Sequence, residues 1–136
     1  MPKIEELTLP SRIESVEAAA IKAEEFARRE GYGDEHVSAI DLAIRESVAN
    51  AIKHGNQFDE SKTVEIKFIS DEDSVEITVS DHGPGFDPDE IPDPTEPANL
   101  LSACGRGILF MRTFMDVVEW SNASGGGTTV KMVKKL

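Results

Sequence analysis

A glutamate, an asparagine and a histidine recur at four-residue intervals in one stretch of the sequence. Glu46, Asn50 and His54 stand at i, i+4 and i+8, so they share one face if this stretch is helical. The apolar residues between them place this face beside the edge of the core. A carboxylate and an amide oxygen one turn apart can hold a hydrated magnesium ion or orient a nucleophile, because magnesium prefers hard oxygen ligands. A solvated polar helix face is the alternative interpretation of the same spacing.

A second motif places glycines directly after an aspartate. Asp81 ends a predicted strand and is followed by Gly83 and Gly85. A carboxylate at a strand end can accept a hydrogen bond from an exocyclic amine, and the glycines allow a flat ligand to approach the backbone. A strand-terminating Asx turn would explain the same residues.

Two further glycine motifs stand at the start of predicted elements. Gly105, Arg106 and Gly107 open a helix, whose free N–H groups and positive dipole end suit a phosphate; a flexible hinge is the alternative. Gly127 and Thr128 lead into a strand, where an ordinary hairpin turn is the alternative. Neither a Walker A nor a GxGxxG pattern occurs in the sequence.

Helices, strands and a proline-rich loop must position these motifs. Apolar spacing and alternation predict helices over 11–30, from Asp34 to about His54 and over 105–115, and strands over 63–70, 74–81, 116–121 and 127–134. A capping box of Ser11 and Glu14 is predicted to begin the first helix. Five of the seven prolines lie between Gly83 and Cys104, which predicts a functional loop such as a lid. The order α-α-β-β-loop-α-β-β predicts an α+β fold, a two-layer α/β sandwich whose mixed, mostly antiparallel sheet has helices on one face.

Composition limits both the domain organisation and the partners. The 136 residues fit one domain, spanning 1–136. With 14 Lys and Arg against 26 Asp and Glu, the net charge of −12 disfavours nucleic acid and anionic membranes as general partners. The single cysteine, Cys104, excludes an internal disulfide and a cysteine-based zinc cluster. Since no apolar run approaches the ~20 residues of a membrane span, a cytoplasmic protein is expected.

Taken together and in this order, the four motifs resemble the GHKL ATPase superfamily, which has the Bergerat nucleotide-binding fold. The N-box of that family, Glu-x-x-x-Asn-Ala-x-x-His, matches Glu46 to His54, and its Asp-x-Gly-x-Gly box matches Asp81 to Gly85. Its Gly-x-Gly box after the lid matches Gly105 to Gly107, and its Gly-Thr pair matches Gly127-Thr128. The stretch from Gly105 to Glu119 is similar to the branch of anti-sigma factors that are also serine-protein kinases.

The resemblance implies that the chain uses ATP and Mg²⁺. Glu46 would act as general base toward an attacking serine hydroxyl, and Asn50 would coordinate the magnesium that bridges the ATP phosphates. Asp81 would bind the adenine amine, with Thr128 assisting through water. Phosphoryl transfer depends mainly on positioning and charge neutralisation, so these few groups are sufficient for it.

The glycines and one arginine receive the remaining roles that the resemblance implies. Gly83 and Gly85 would shape the adenine pocket, while Gly105, Arg106 and Gly107 would bind phosphate.

The resemblance also implies partners. These are a STAS-type anti-anti-sigma protein that is phosphorylated on serine, a sigma factor as the other use of the same molecule, and a second copy of the chain in a homodimer. The predicted lid, about 86–104, carries five carboxylates and no lysine or arginine, which favours an alternative: a nucleotide-dependent anti-sigma or adaptor module without useful kinase activity. A histidine-kinase catalytic domain that acts with a partner chain is a third hypothesis.

Overall fold

Five strands and two helices make up the part of the chain that the structure, a computed structural model, describes: residues 2–83, 114–122 and 126–135. In chain order these elements are β1 (Lys3–Pro10), α1 (Glu14–Arg29), α2 (Asp34–Asn50), β2 (Thr63–Ser70), β3 (Ser74–Ser80), β4 (Val117–Asn122) and β5 (Thr128–Lys135). The sheet has the order β1-β2-β3-β5-β4, and each neighbouring pair is antiparallel. The predicted α+β fold is confirmed. The predicted lid with Cys104 and most of the predicted third helix lie outside the described residues.

The hairpin of β2 and β3 follows from alternating side chains. Along β2 every second residue is buried, and the same holds along β3, so both strands present one apolar face. The turn between them is an Asx turn: Asp71 Oδ1 accepts hydrogen bonds from the N–H groups of Asp73 (2.9 Å) and Ser74 (3.0 Å). The predicted tight hairpin at 71–73 is therefore confirmed.

Both helices pack on this apolar face and form the core with it. Small side chains, the buried alanines of α1, let the helix backbone approach its neighbours closely. Phe26 of α1 stacks on Phe68 of β2 with ring centroids 5.4 Å apart. Burying one such ring stabilises the fold by roughly 2–3 kcal/mol. The core thus fixes α2 against the strands that carry the other predicted motifs.

An N-terminal strand, β1, was not predicted from the sequence. It pairs with the whole of β2, from Lys3 opposite Ser70 to Pro10 opposite Thr63. Its carboxylate Glu5 faces α1, where Lys22 Nζ lies 2.9 Å and Arg29 Nη2 2.8 Å from the two carboxylate oxygens. Hydrogen bonds from Lys22 and Arg29 lower the pKa of Glu5 below its ordinary value. A charged residue therefore joins the edge strand to the helix layer.

The predicted capping box at the start of the first helix is wrong. The helix begins at Glu14, and no side chain caps its N-terminus. Ser11 instead donates from Oγ to the carbonyl of Lys62, 2.6 Å away, at the entrance to β2. The Ser11 hydroxyl therefore binds a carbonyl that is distant in sequence instead of capping the helix as the local pattern predicts.

The second helix reaches Gly55, close to the predicted end at about His54, but it is α-helical only as far as Asn50. A π-helical segment, Ala51–Gly55, continues it, and the N–H of Asn56 donates to the carbonyl of Ala51 at 2.8 Å, five residues back. The wider turn alters the angular spacing after Asn50. Glu46 and Asn50 keep a common α-helical face, but the four-residue spacing no longer extends it to His54. No helix among the residues described here is long and apolar enough to cross a membrane.

Candidate functional site

Asp81 lies directly after β3 and is buried, with 5 % of its surface exposed. Its Oδ1 accepts hydrogen bonds from the N–H groups of Gly83 (3.0 Å) and Thr128 (3.1 Å). The Asp81 N–H donates in turn to the carbonyl of Thr128, 2.9 Å away. The structure therefore brings together two motifs that lie more than forty positions apart in the sequence. Within the described residues these hydrogen bonds to the carboxylate all end on Oδ1, so Oδ2 is the carboxylate oxygen that has no hydrogen bond among them.

The backbone around Asp81 is packed too closely for side chains. A Cβ on Gly83 would lie 1.9 Å from the carbonyl oxygen of Gly55, and one on Gly55 would lie 2.2 Å from Oδ2 of Asp81. Gly127 has φ +91°, and a Cβ there would lie 2.0 Å from the Asp81 carbonyl oxygen. The end of the π-helical segment, the end of β3 and the start of β5 are thus in direct contact at one point.

A buried asparagine, Asn56, holds this junction from behind. Its Oδ1 accepts from the N–H of His82 at 2.7 Å, while its Nδ2 donates to Ser11 Oγ (2.8 Å) and to the carbonyl of Thr63 (3.0 Å). Asn56 is 1 % exposed, so these partners replace water. Sequence reasoning missed it, because an asparagine after a glycine at a helix end is an ordinary terminating pair. No local signal distinguishes it, because its partners Ser11, Thr63 and His82 lie in three other segments of the chain.

Glu46 and Asn50 lie one α-helical turn apart on α2, and each is partly exposed. The intervening Ser47 and Val48 are buried, which places the two polar side chains beside the edge of the core, as predicted. The helix that carries them runs on to Gly55, whose backbone packs against Asp81. The carboxamide oxygen of Asn50 is a hard ligand of the kind that magnesium prefers.

His82 and Arg45, near these positions, each contact a carboxylate. His82 Nε2 lies 2.7 Å from Glu65 Oε1, at the rim of the Asp81 junction. Arg45, next to Glu46, contacts Glu17 of α1 at 2.6 Å and Asp41 at 3.0 Å, and the hydrogen bonds to those two carboxylates raise its pKa. The charge of Arg45 is thereby balanced by partners on the helix layer, and Arg45 holds α1 to α2.

Of the remaining predicted site residues, two lie in the part of the chain that the structure describes and four lie outside it. Thr128 is partly buried, and its backbone rather than its hydroxyl contacts Asp81. Gly83 is buried at the Gly55 contact. Gly85, Gly105, Arg106 and Gly107 lie outside the described residues, so their predicted contacts with adenine and phosphate stay predictions. Among residues 2–83, 114–122 and 126–135, no cluster of three histidine, cysteine or carboxylate side chains could hold a metal ion.

Comparisons with known proteins identify relatives of this chain. Residues 9–134 match the family described as Histidine kinase-like ATPase domain. The chain is 32 % identical over 137 residues to the serine-protein kinase RsbW of Bacillus subtilis, covering 96 % of this chain and 84 % of that protein. It is 38 % identical over 106 residues to an anti-sigma F factor of Clostridium perfringens, covering 75 % of this chain and 74 % of that protein.

A solved structure supports the fold independently of close sequence similarity. The crystal structure of the RsbU and RsbW domains of a Mycobacterium tuberculosis protein superposes with a TM-score of 0.72 at 18 % identity. The match covers 98 % of this chain and 32 % of the other. The family match and the relatives confirm the resemblance that the sequence motifs indicated. The chain belongs to the histidine kinase-like ATPase (GHKL) family, among relatives that include serine-protein kinases and anti-sigma factors.

Proposed function

We propose that this chain is an ATP-dependent serine-protein kinase that also acts as an anti-sigma factor. Its protein substrate would be a STAS-type anti-anti-sigma protein, and a sigma factor would be its second partner. Relatives of 32 % and 38 % identity named serine-protein kinase and anti-sigma F factor support both parts of the proposal. We further propose that the kinase works as a homodimer in the cytoplasm, with 1–136 as one domain.

The observation that carries the ATP-binding part is the fixed carboxylate of Asp81. Two backbone N–H groups, from Gly83 and Thr128, hold Oδ1, so the orientation of the other oxygen is set before a ligand arrives. An acceptor of fixed direction at a buried position suits the 6-amino group of adenine, which is a donor. Guanine carries a keto group at the same position. Its oxygen and the carboxylate oxygen of Asp81 are both acceptors, so no hydrogen bond could form between them. The geometry therefore favours adenine over guanine.

The chemical step is assigned to α2. Asn50 supplies a carboxamide oxygen that fits magnesium, and the bound ion would neutralise charge on the phosphates. Glu46, one turn earlier, would accept the proton of the substrate serine hydroxyl as the serine oxygen bonds to the γ-phosphorus. The bond between that phosphorus and the β–γ bridging oxygen breaks, and the products are phosphoserine and ADP.

The test is phosphate transfer from labelled ATP, with magnesium, to a STAS-type protein. We expect Glu46→Ala to lower the rate of transfer by about 10²–10⁴-fold, the usual contribution of a general base, and to leave the Kd for ATP within about twofold. Glu35→Ala is the matched control, since Glu35 is an exposed carboxylate in the first turn of the same helix. We expect it to change neither quantity. Wild-type protein that binds ATP but transfers no phosphate to any STAS-type protein would refute the kinase proposal.

The binding module without useful catalysis is the second candidate, favoured by the five carboxylates and absence of basic residues in the sequence of the predicted lid. It predicts a different result in cells: regulation would survive Glu46→Ala and be abolished by Asn50→Ala. The kinase proposal predicts that both substitutions alter regulation.

A further inference from the structure

We propose that Asn56 is a positioning residue for adenine recognition, acting through the backbone of His82 on the carboxylate of Asp81. The proposal rests on the ATP-binding function proposed above. It adds a residue that belongs to none of the glycine motifs and follows the matched N-box.

The first step is the turn that Asp81 makes with its own backbone. Asp81 Oδ1 accepts from the N–H of Gly83, two residues later, at 3.0 Å. His82 is therefore the central residue of an Asx turn, and its backbone orientation decides whether that hydrogen bond can form. The orientation of the Asp81 side chain and the backbone of His82 are coupled.

The second step is the hydrogen bond that holds His82. Its N–H donates to Asn56 Oδ1 at 2.7 Å, one of two hydrogen bonds that, among the described residues, backbone N–H groups of this stretch donate to other segments. The other runs from the Asp81 N–H to the Thr128 carbonyl at 2.9 Å. Two successive backbone N–H groups are thus hydrogen-bonded, that of Asp81 to β5 and that of His82 to Asn56.

The third step is the rigidity of Asn56 itself. Its Nδ2 is tied to the hydroxyl of Ser11 and to the Thr63 carbonyl, and the Ser11 hydroxyl is tied to the Lys62 carbonyl at 2.6 Å. The carboxamide is 1 % exposed and cannot rotate without leaving a buried donor or acceptor unpaired, which costs about 1–3 kcal/mol. Asn56 Oδ1 is therefore held in a fixed position as the acceptor for the His82 N–H. A small displacement of the Asp81 carboxylate would weaken its hydrogen bond to the adenine. By holding the His82 backbone, Asn56 Oδ1 therefore contributes to ligand affinity without touching the ligand.

The experiment compares Asn56→Ala with Ser11→Ala in the full chain. Both substitutions remove a buried hydrogen bond of the same network, but only Asn56→Ala removes the acceptor for the His82 N–H. The Kd for ADP and the Kd for inorganic tripolyphosphate, each with magnesium, are measured by calorimetry, and the melting temperature is recorded for each variant. Tripolyphosphate carries the phosphates without the base, so it reports on the phosphate site alone.

We expect Asn56→Ala to raise the Kd for ADP by about tenfold, the equivalent of one hydrogen bond, and to leave the Kd for tripolyphosphate within about twofold. Ser11→Ala should lower the melting temperature but keep the Kd for ADP within about twofold, because Asn56 Nδ2 retains the Thr63 carbonyl as its partner and Oδ1 still accepts from the His82 N–H. If the alanine variant is too unstable to measure, Asn56→Ser takes its place, because the shorter hydroxyl does not reach the His82 N–H. We expect Asn56→Ser to raise the Kd for ADP by the same factor.

Equal changes in the Kd for ADP in the Asn56 and Ser11 variants would overturn the proposal, since they would show a general loosening of the network. Equal losses for ADP and tripolyphosphate would overturn it as well. A wild-type protein that binds tripolyphosphate but shows no preference for ADP would refute the adenine-binding function itself, and the role of Asn56 with it. A selective effect of Asn56 on a wild-type protein that binds ADP supports both.

Discussion

Replacing Asp81 by asparagine changes one atom of the proposed adenine site and preserves its shape. The hydrogen bonds from Gly83 and Thr128 require an acceptor at the Oδ1 position, so the new amide places its oxygen there. Its NH₂ group must then occupy the position of Oδ2. A donor faces the 6-amino group of adenine, where the wild-type protein presents an acceptor.

The magnitude follows from the groups involved. Loss of a hydrogen bond to a charged acceptor costs about 1.5–3 kcal/mol, and two opposed donors without partners cost roughly 1–3 kcal/mol more. A total of about 2.5–6 kcal/mol corresponds to an increase of about 10²–10⁴-fold in the Kd for ATP. The two backbone hydrogen bonds also change from a charged to a neutral acceptor, so the melting temperature should fall by about 3–8 °C.

The assay is equilibrium binding of ATP and of ITP, in which a keto oxygen replaces the 6-amino group. We expect the asparagine variant to lose ATP affinity and to shift its preference toward ITP, because the new NH₂ group can donate to that oxygen. Asp71→Asn is the matched control: Asp71 also accepts two backbone N–H groups on Oδ1, at the opposite end of β3. That variant should bind ATP as the wild type does.

The reasoning would be refuted by Asp81→Asn protein that is folded and binds ATP within about threefold of the wild type. An unchanged ratio of ATP to ITP affinity, despite weaker binding of both, would also contradict it. That result would place Asp81 in the scaffold of the site and not in contact with the base.

Two further predictions concern magnesium and pH. The chain has a net charge of −12, so ATP binding should depend on the metal ion: we expect chelation by EDTA to weaken ATP binding by at least about tenfold, whereas equal binding with and without EDTA would contradict the assignment of Asn50. The pKa of Glu5 is lowered from 4.5 by Lys22 and Arg29, so its contribution to the free energy of unfolding is fully present above pH 4.5 and disappears as the pH falls through the lowered pKa. The difference in unfolding free energy between wild type and Glu5→Gln, measured by urea titration, should therefore be constant from pH 7 to about pH 5.5 and shrink below pH 4.5. Glu6→Gln, on the opposite face of β1, provides the baseline, and a difference that grows on acidification would contradict the pairing.

The parts of the fold that could be predicted from sequence are those whose pattern is local. Alternation identified β2 and β3 to within one residue at their ends, and the Asx residue Asp71 identified the turn between them. The composite of motifs indicated the family, because glycines and polar residues in a fixed order are specific even where each motif is weak. The resemblance implied that Asp81 and Thr128 act together at the adenine through water, whereas the direct backbone hydrogen bonds between them were not predicted.

The parts that could not be predicted depend on distant partners. β1 lacks a regular alternation of charged and apolar residues, since Glu5 and Glu6 are adjacent at its centre, and its strand conformation is stabilised by pairing with β2. Ser11 has an ordinary capping position, but the Lys62 carbonyl outcompetes the helix for its hydroxyl. The π-helical segment changes the helical spacing by a fraction of a turn, which is below what a short apolar pattern can resolve.

The pairing of β1 with β2 has a consequence for synthesis on the ribosome. β1 is synthesised before β2, its hydrogen-bonding partner, which follows more than fifty residues later, after both helices have been made. Until then its backbone groups and the apolar side chains of Leu7 and Leu9 are open to other chains. Conversely, a shortened chain that begins after Pro10 would leave the edge of β2 unpaired and part of the core uncovered. Such a truncation should express as aggregate even though every residue of the proposed ATP site is retained.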